Sequence, residues 1–483
     1  MYEDDIGMQL KRRHFLSGSL GCVAIACGSD DDPAKTGQEY ILADGTHPAM
    51  TVPAGSTLAA ENPGEATVSS LGPGAALIVE TLAGMTTTLR GLVVDAGGGV
   101  GVLVRGDGDF VAENIEIDAD IGVGMAVEGA ASVTLKHVRV LGTITEDVVP
   151  DLVFPLHAED ASIIGIALAN VLQFTFDDVV VEGFGGFGTI FKDSSGSWST
   201  GSIKNTVGVG IITEGGAVTF TDLEVRNIWQ GQIGNAISSF GVVIGKGSSF
   251  HSLRFVIADC DGFGIVQDQS TASHASISIS GCNDVGMWTQ RCTSDGSDPV
   301  LRITGSGNTL SGNRGGGAYV LASGPVEVSG LISSGSTTKE VATSNTGLAT
   351  MADGIQVANL VGGLTIDGLQ AVDNARVGLL LHGTVDAGAV IEVSNIFVDG
   401  TGDFGVVAQD GFPSPDAASI TYGNSDLQSA DATIVYSLPV AGEKSTTETM
   451  SLESFVVIDP NGLVESDGTS ANGAVVNRLG WRK

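Results

Sequence analysis

The chain is 483 residues long and carries 56 acidic residues against 22 Lys and Arg, a formal net charge of −34 at pH 7. That balance excludes a nucleic-acid binder and a protein held on anionic lipid headgroups by charge, because both need clustered Lys and Arg. A hydrophobic fraction of 42% with 16% charged residues excludes a disordered acidic chain, and 70 glycines among abundant Val, Ile, Ser and Thr point to β-structure with many tight turns.

The first element in chain order is a leader. Lys11, Arg12 and Arg13 precede an apolar run of twelve residues, 15–26, interrupted by Gly18 and Gly21. A membrane-spanning helix needs about twenty apolar residues. A basic segment, a short apolar run and a small residue before a cut make a secretory signal peptide instead. Lys11-Arg12-Arg13-His14-Phe15-Leu16 resembles the twin-arginine export motif. Met8 is an alternative start, since residues 1–7 are acidic. Ala24-Ile25-Ala26-Cys27 resembles a lipobox, which implies lipidation at Cys27; plain cleavage after Ala26 is the alternative. Gly28, rather than Asp, follows the cysteine, and in bacterial lipoproteins that implies sorting to the outer membrane. Residues 1–26 are therefore assigned to the leader, and 27–37 to a flexible acidic tether.

Beyond the tether the chain repeats itself. A glycine followed by alternating apolar residues recurs as GVLV at Gly101, GMAV at Gly124, GIAL at Gly165, GTIF at Gly188 and GIIT at Gly210. It continues at Gly241, Gly264, Gly286, Gly317, Gly354, Gly378 and Gly405, with a commonest spacing of 22 to 24 residues. Each unit reads as two or three short strands punctuated by Gly, Asn, Asp or Ser. Strands this short at this period fit a coil that stacks in parallel on its neighbour. The pattern resembles the right-handed parallel β-helix of the pectin-lyase-like superfold. The expected fold is all-β, a solenoid of roughly a dozen coils over residues 38–411 with a short C-terminal capping segment, 412–483. A β-propeller, the rival, wants a longer period and more Trp.

The cysteines test the register. Cys260 and Cys282 each lie four residues before a marker glycine and are 22 residues apart. They should stack in adjacent coils at about 4.8 Å, within disulfide range. A disulfide and a pair of stacked free thiols are the two alternatives.

With the marker glycine as position zero, side chains at +1 and +3 should point inward and those at +2 and +4 outward. The +2 column is apolar, with Leu103, Ile190, Val266, Trp288, Tyr319 and Leu380 among its members. The polar members of the +4 column include Lys192, Glu214, Asp268, Gln290 and His382. Aromatic faces suit pyranose rings, and flanking acids and amides suit hydroxyls. Lys192, Glu214, Asp268, Trp288, Gln290, Tyr319 and His382 are therefore the candidate ligand-binding residues, with polysaccharide as the partner. The alternatives are that a loop or the C-terminal segment covers this face, or that the register is off by one. Long insertions at 141–160, 228–238, 291–298 and 333–351 would all border the same face.

Catalytic motifs are missing. Polygalacturonase-like members carry NTD, GHG and RIK phrases, and none occurs; Leu381-His382-Gly383 and Arg302-Ile303-Thr304 are fragments. The aspartate cluster and arginine base of pectate-lyase-like members are not visible either. Asp177 and Asp178 are neighbours on a strand and should face opposite ways, so they make a poor acid–base pair. The GxGxxG letters at 183–188 lie between strands, not before a helix. Arg105-Gly106-Asp107-Gly108-Asp109 is at most a fragment of a Ca²⁺ loop and reads better as a solvated turn. No cofactor is expected beyond this weak Ca²⁺ signal, and the only membrane contact expected is a lipid anchor.

These features lead to an exported, lipid-anchored surface protein that binds polysaccharide or serves as a scaffold. A diverged polysaccharide lyase, hydrolase or epimerase is the second expectation, and a structural adhesion protein the third.

Overall fold

In a computed structural model of the chain, the marker glycines form a column. A Cβ placed on Gly124 would lie 2.6 Å from the carbonyl oxygen of Gly165, and one on Gly165 would lie 2.6 Å from that of Gly188. The same contact recurs from Gly264 to Gly286 at 2.4 Å and from Gly354 to Gly378 at 2.5 Å. Each glycine is also crowded from inside, Gly124 by Val140 and Gly264 by Ile279. The repeat glycine is thus demanded by space: the chain bends into each marker strand against the backbone of the next coil.

The structure describes residues 37–144 and 164–401 apart from 71, 121, 234–235, 295–297 and 343–347, together with 404–408, 412 and the short strands 420–422, 433–434, 455–459 and 462–466. The leader, Cys27 and the acidic tether up to residue 36 lie outside the described residues. Two units are distinguished, 1–239 and 240–483. Each is a parallel β-helix, as the sequence expects, and no α-helix occurs among the described residues.

In the first unit the marker strands Val100–Gly106, Val123–Glu128, Ile164–Ala169, Phe187–Lys192 and Val209–Glu214 pair in parallel, one per coil. Their register aligns Val102, Met125, Ile166, Thr189 and Ile211, so the +1 column holds. The other wall consists of strands longer than the repeat suggests, such as Gln173–Glu182 and Ala217–Trp229. Each bends at a left-handed residue near its middle: Asn114, His137, Asp178, Thr200 and Asp222 have φ between 51° and 55°, and Gly196–Val207 and Ala217–Trp229 turn again at Asn205 and Asn227. A one-residue corner leaves the ladder paired on both sides of the bend, so two short strands run as one. Asn and Asp tolerate this conformation best, which explains the polar punctuation of the sequence. Inside, Phe191 at +3 stacks on Phe174 with ring centroids 4.7 Å apart, and Phe176 meets Trp198 edge-on at 5.5 Å. All four rings are buried, each burial contributing about 1.5–3 kcal/mol.

In the second unit the marker strands are Phe240–Ile244, Phe263–Asp268, Met287–Gln290, Gly316–Leu321, Asp353–Leu360, Val377–Val385 and Phe404–Ala408, paired in parallel in that order. Parallel pairing continues to Ile420–Tyr422, which joins Ile396–Asp399. Buried asparagines seal the corners of this unit. Asn313 accepts from Cys282 N and donates to Ile279 O, and Asn374 donates to Ser333 O. Two insertions contain antiparallel hairpins, Gly231–Ile233 with Ala236–Ser238 in the first unit and Lys339–Ala342 with Leu348–Met351 in the second. Past residue 422, Thr433–Ile434, Phe455–Asp459 and Gly462–Ser466 form a small antiparallel sheet.

Cys260 and Cys282 do fall in adjacent coils, since Asn283 N donates to Cys260 O. The disulfide alternative is not the one adopted: both are free, buried thiols, as is Cys292. Each thiol fills the space over the marker glycine of its own coil, Cys260 over Gly241 and Cys282 over Gly264. The hydrogen-bonded Cys282 thiol and burial hold Cys260 well above the ordinary thiol range.

Two measurements follow from this packing. Gly264→Ala forces a Cβ to 2.4 Å from a carbonyl oxygen and should destabilise by about 2–3 kcal/mol in urea unfolding. Gly74→Ala, where nothing lies within 4 Å, should change stability by less than about 0.5 kcal/mol. The second concerns His274, which is buried, shares a hydrogen bond with Ser252 Oγ and has no partner for Nε2 among the described residues. Burial and the nearby His251 lower its pKa from 6.5 to about 3. The unfolded chain therefore binds more protons than the folded one between those values. The contribution of neutral His274 is complete above pH 6.5 and is lost as pH falls toward 3. His274→Leu should flatten the stability–pH curve between about pH 6 and pH 4 by about 1.4 kcal/mol per pH unit.

Candidate functional site

The outward face of the marker strands is unlike in the two units. In the first unit Lys192 and Glu214 are register partners in the +4 column, half-buried at the edge of the sheet. Asp268, Trp288, Gln290, Tyr319 and His382 all belong to the second unit. The structure therefore brings five of the seven candidate residues onto one face.

Register builds that face. Trp288, Tyr319, Gln356 and Leu380 follow one another in the +2 column. Position −1 shares their side of the sheet, which adds Phe240 and Phe263. The result is an aromatic stripe. Phe240 stacks on Phe263 at 5.8 Å, Phe263 meets Trp288 edge-on at 5.7 Å, and Trp288 meets Tyr319 edge-on at 4.3 Å.

The stripe corrects one expectation. Of the two expectations for this face, the open stacking groove does not fit, since Trp288 is 1% and Tyr319 9% exposed. The covered alternative is the one that holds. One covering contact is visible in Lys339, the first residue of the inserted hairpin. Its ammonium lies 6.0 Å over the Phe263 ring and bonds the Asp284 carboxylate.

Amides line the stripe. Trp288 Nε1 donates to Gln290 Oε1 at 3.2 Å, and Gln356 Nε2 donates to His382 Nε2 at 2.8 Å. Gln290 and Gln356 are 1% and 9% exposed, and each keeps one amide atom with no partner among the described residues. The orphan on Gln290 is a donor, Nε2, and that on Gln356 an acceptor, Oε1. An unpaired buried polar atom costs about 1–3 kcal/mol, so two beside one aromatic stripe call for an account. His382, half-buried, is lowered from 6.5 to about 4 by burial and by the Arg376 charge, so it is a neutral imidazole at pH 7.

Ion pairs frame the face, each joining adjacent or successive coils. Arg291 donates Nε to Asp268 Oδ1 at 2.9 Å and Nη2 to Oδ2 at 2.5 Å. Arg376 grips Asp353 through Nε at 2.7 Å and through Nη2, with both side chains buried. Lys339 bonds Asp284, whose pKa is raised by burial against the pull of Lys339. Sequence reasoning missed Gln356, Arg291, Lys339 and the acids Asp284 and Asp353. A signal was present: Asp284, Asp353 and Arg376 stand one or two residues before a marker glycine, where position −1 already faces outward.

The remaining sequence candidates fall elsewhere. Asp178 bonds His137 at 2.9 Å at an exposed corner, while Asp177 Oδ1 accepts from Ser199 and Thr200. In the segment read as a Ca²⁺ fragment, Asp107 accepts from Ala83 N, Asp109 from Ser132, and Arg105 pairs with Glu80. Among the described residues no group of three or more His, Cys, Asp or Glu converges as a metal site.

The chain matches no protein-family profile, and no curated protein matches it by sequence. Among solved structures it is similar to tailspike protein 3 of bacteriophage CBA120, with 11% identity and a TM-score of 0.37 over 93% of this chain and 68% of that one. It is also similar to the periplasmic alginate epimerase AlgG, with 10% identity and a TM-score of 0.36 over 75% and 77%. A third likeness is to the catalytic domain of a GH87 α-1,3-glucanase, with 9% identity and a TM-score of 0.32 over 82% and 69%. At these scores the fold rests on the chain's own ladders, and no activity is carried over.

The Arg376–Asp353 pair gives a direct test of how this face is held. Arg376→Met leaves Asp353 buried without a counter-charge and should destabilise by about 3–5 kcal/mol in urea unfolding. Adding Asp353→Leu should recover most of that loss, because no charge then remains to be buried.

Proposed function

We propose that the chain is an exported, lipid-anchored outer-membrane protein that binds polysaccharide on the outward marker-strand face of its second unit. The observation that carries this reading is the orphan pair, Gln290 Nε2 and Gln356 Oε1, beside Trp288 and Tyr319. A hydroxyl donates one hydrogen bond and accepts others, so sugar hydroxyls satisfy an orphan donor and an orphan acceptor alike. The aromatic rings supply apolar faces for the carbon skeleton. The coil repeat of about 4.8 Å sets a ladder of equivalent positions along which successive sugar units meet successive coils. Entry of the glycan displaces the Lys339 contact over Phe263. The resemblance of residues 11–16 to an export motif and of 24–27 to a lipobox supports a location outside the cytoplasm, where polysaccharide is found.

A second reading, a diverged polysaccharide lyase, hydrolase or epimerase, is favoured by His382. His382 is a neutral imidazole at pH 7, a group able to act as a base, and Gln356 Nε2 positions its ring by donating to Nε2.

Binding of the full chain to a polysaccharide array, with reducing ends and unsaturated products assayed in the same wells, tests both. Gln290→Leu and Gln356→Leu should each weaken binding about tenfold, equivalent to ~1.4 kcal/mol, while changing stability by less than about 1 kcal/mol, because each removes an unpaired polar atom along with one hydrogen bond. Products lost on His382→Ala would favour the enzyme. Binding unchanged in both glutamine variants would remove this face from the account.

A further inference from the structure

We infer that the glycan taken by this face is uncharged, an inference that rests on the polysaccharide reading above. Among the described residues three cations of this face are each bound to one of its carboxylates: Arg291 to Asp268, Lys339 to Asp284, and Arg376 to Asp353. Arg314 is exposed and donates Nε to the carbonyl oxygen of Thr338. His382, lowered to about 4, adds no positive charge at pH 7.

A polyuronate brings one carboxylate per sugar. Binding it needs cations whose hydrogen bonds are unspent, as in bidentate Arg–carboxylate recognition. Here the guanidinium forks of Arg291 and Arg376 are already spent on protein carboxylates. A uronate docking on the stripe would have to compete with Asp268 or Asp353, leaving a buried carboxylate without its counter-charge. The chain's net charge of −34 opposes a polyanion further, at long range. The polar atoms that do await a partner, Gln290 Nε2 and Gln356 Oε1, belong to neutral amides. Amides and aromatic rings match hydroxyls and apolar ring faces.

The test is biolayer interferometry of the full chain on immobilised dextran, galactomannan, β-1,3-glucan, alginate and polygalacturonate, at about 0.02 M and about 0.3 M NaCl. The expected result is binding to at least one of the three neutral polymers, with both polyuronates at least about tenfold weaker and a Kd for the neutral polymer that moves by less than about twofold with salt. Tighter binding to a polyuronate, weakened by salt, would overturn the neutral-glycan inference and leave the polysaccharide reading standing. No binding to any of the five would overturn both and leave a structural surface protein. The panel uses the unaltered chain, so its outcome does not depend on a variant that fails to fold.

Discussion

The close approach of each marker glycine to the carbonyl of the next constrains everything else in this protein. A contact of 2.4–2.8 Å between a would-be Cβ and a backbone oxygen, as from Gly264 to Gly286 and from Gly286 to Gly317, leaves no room for a side chain. The bend into these marker strands is therefore tight, and it recurs at the same place from coil to coil within each unit. Because the bend is fixed, residues at +1 and +3 always enter the interior, and those at −1 and +2 always leave it. A one-residue slip anywhere would reverse the faces.

That fixed register turns a one-dimensional sequence into columns with separate jobs. The inward columns fill the coil, with Phe174, Phe176, Phe191 and Trp198 packed together in the first unit. In the second unit polar side chains enter the interior as well, and Gln267 donates to Ser270 O and Val300 O while accepting from Thr289. The outward columns are free of the packing demand, so their composition carries more information about partners. There the second unit sets rings beside amides, and ties its charges into pairs across coils. Those pairs hold neighbouring coils together and leave the face electrically balanced.

Much of this architecture was legible in the sequence. Marker spacing identified the coil and the glycine phase identified the faces, because both follow from a strict geometric repeat. The left-handed corners were visible as recurrent Asn, Asp and Ser. What the sequence hid was which outward residues are covered. Trp288 and Tyr319 read as exposed, since burial of an outward column depends on segments distant in sequence that follow no repeat. Lys339 reaches Asp284 across 55 residues, and no periodicity announces that contact. The merging of two short strands into one, as in Ala217–Trp229, was equally hidden. It depends on corner residues, Asp222 and Asn227, adopting φ of 53° and 56°. Gln356 was in the right column but drew no notice among apolar neighbours. Only the count of satisfied and unsatisfied amide atoms singles it out.

The central claim is that the outward marker-strand face of the second unit is a place where sugar hydroxyls complete a set of hydrogen bonds left open by the protein. The most direct measurement is a crystal structure of the full chain with a bound neutral oligosaccharide. The account predicts one sugar hydroxyl accepting from Gln290 Nε2 and another donating to Gln356 Oε1, with the Lys339 contact over Phe263 displaced. An oligosaccharide seated elsewhere, with both amide atoms on ordered water and Lys339 still in place, would contradict it.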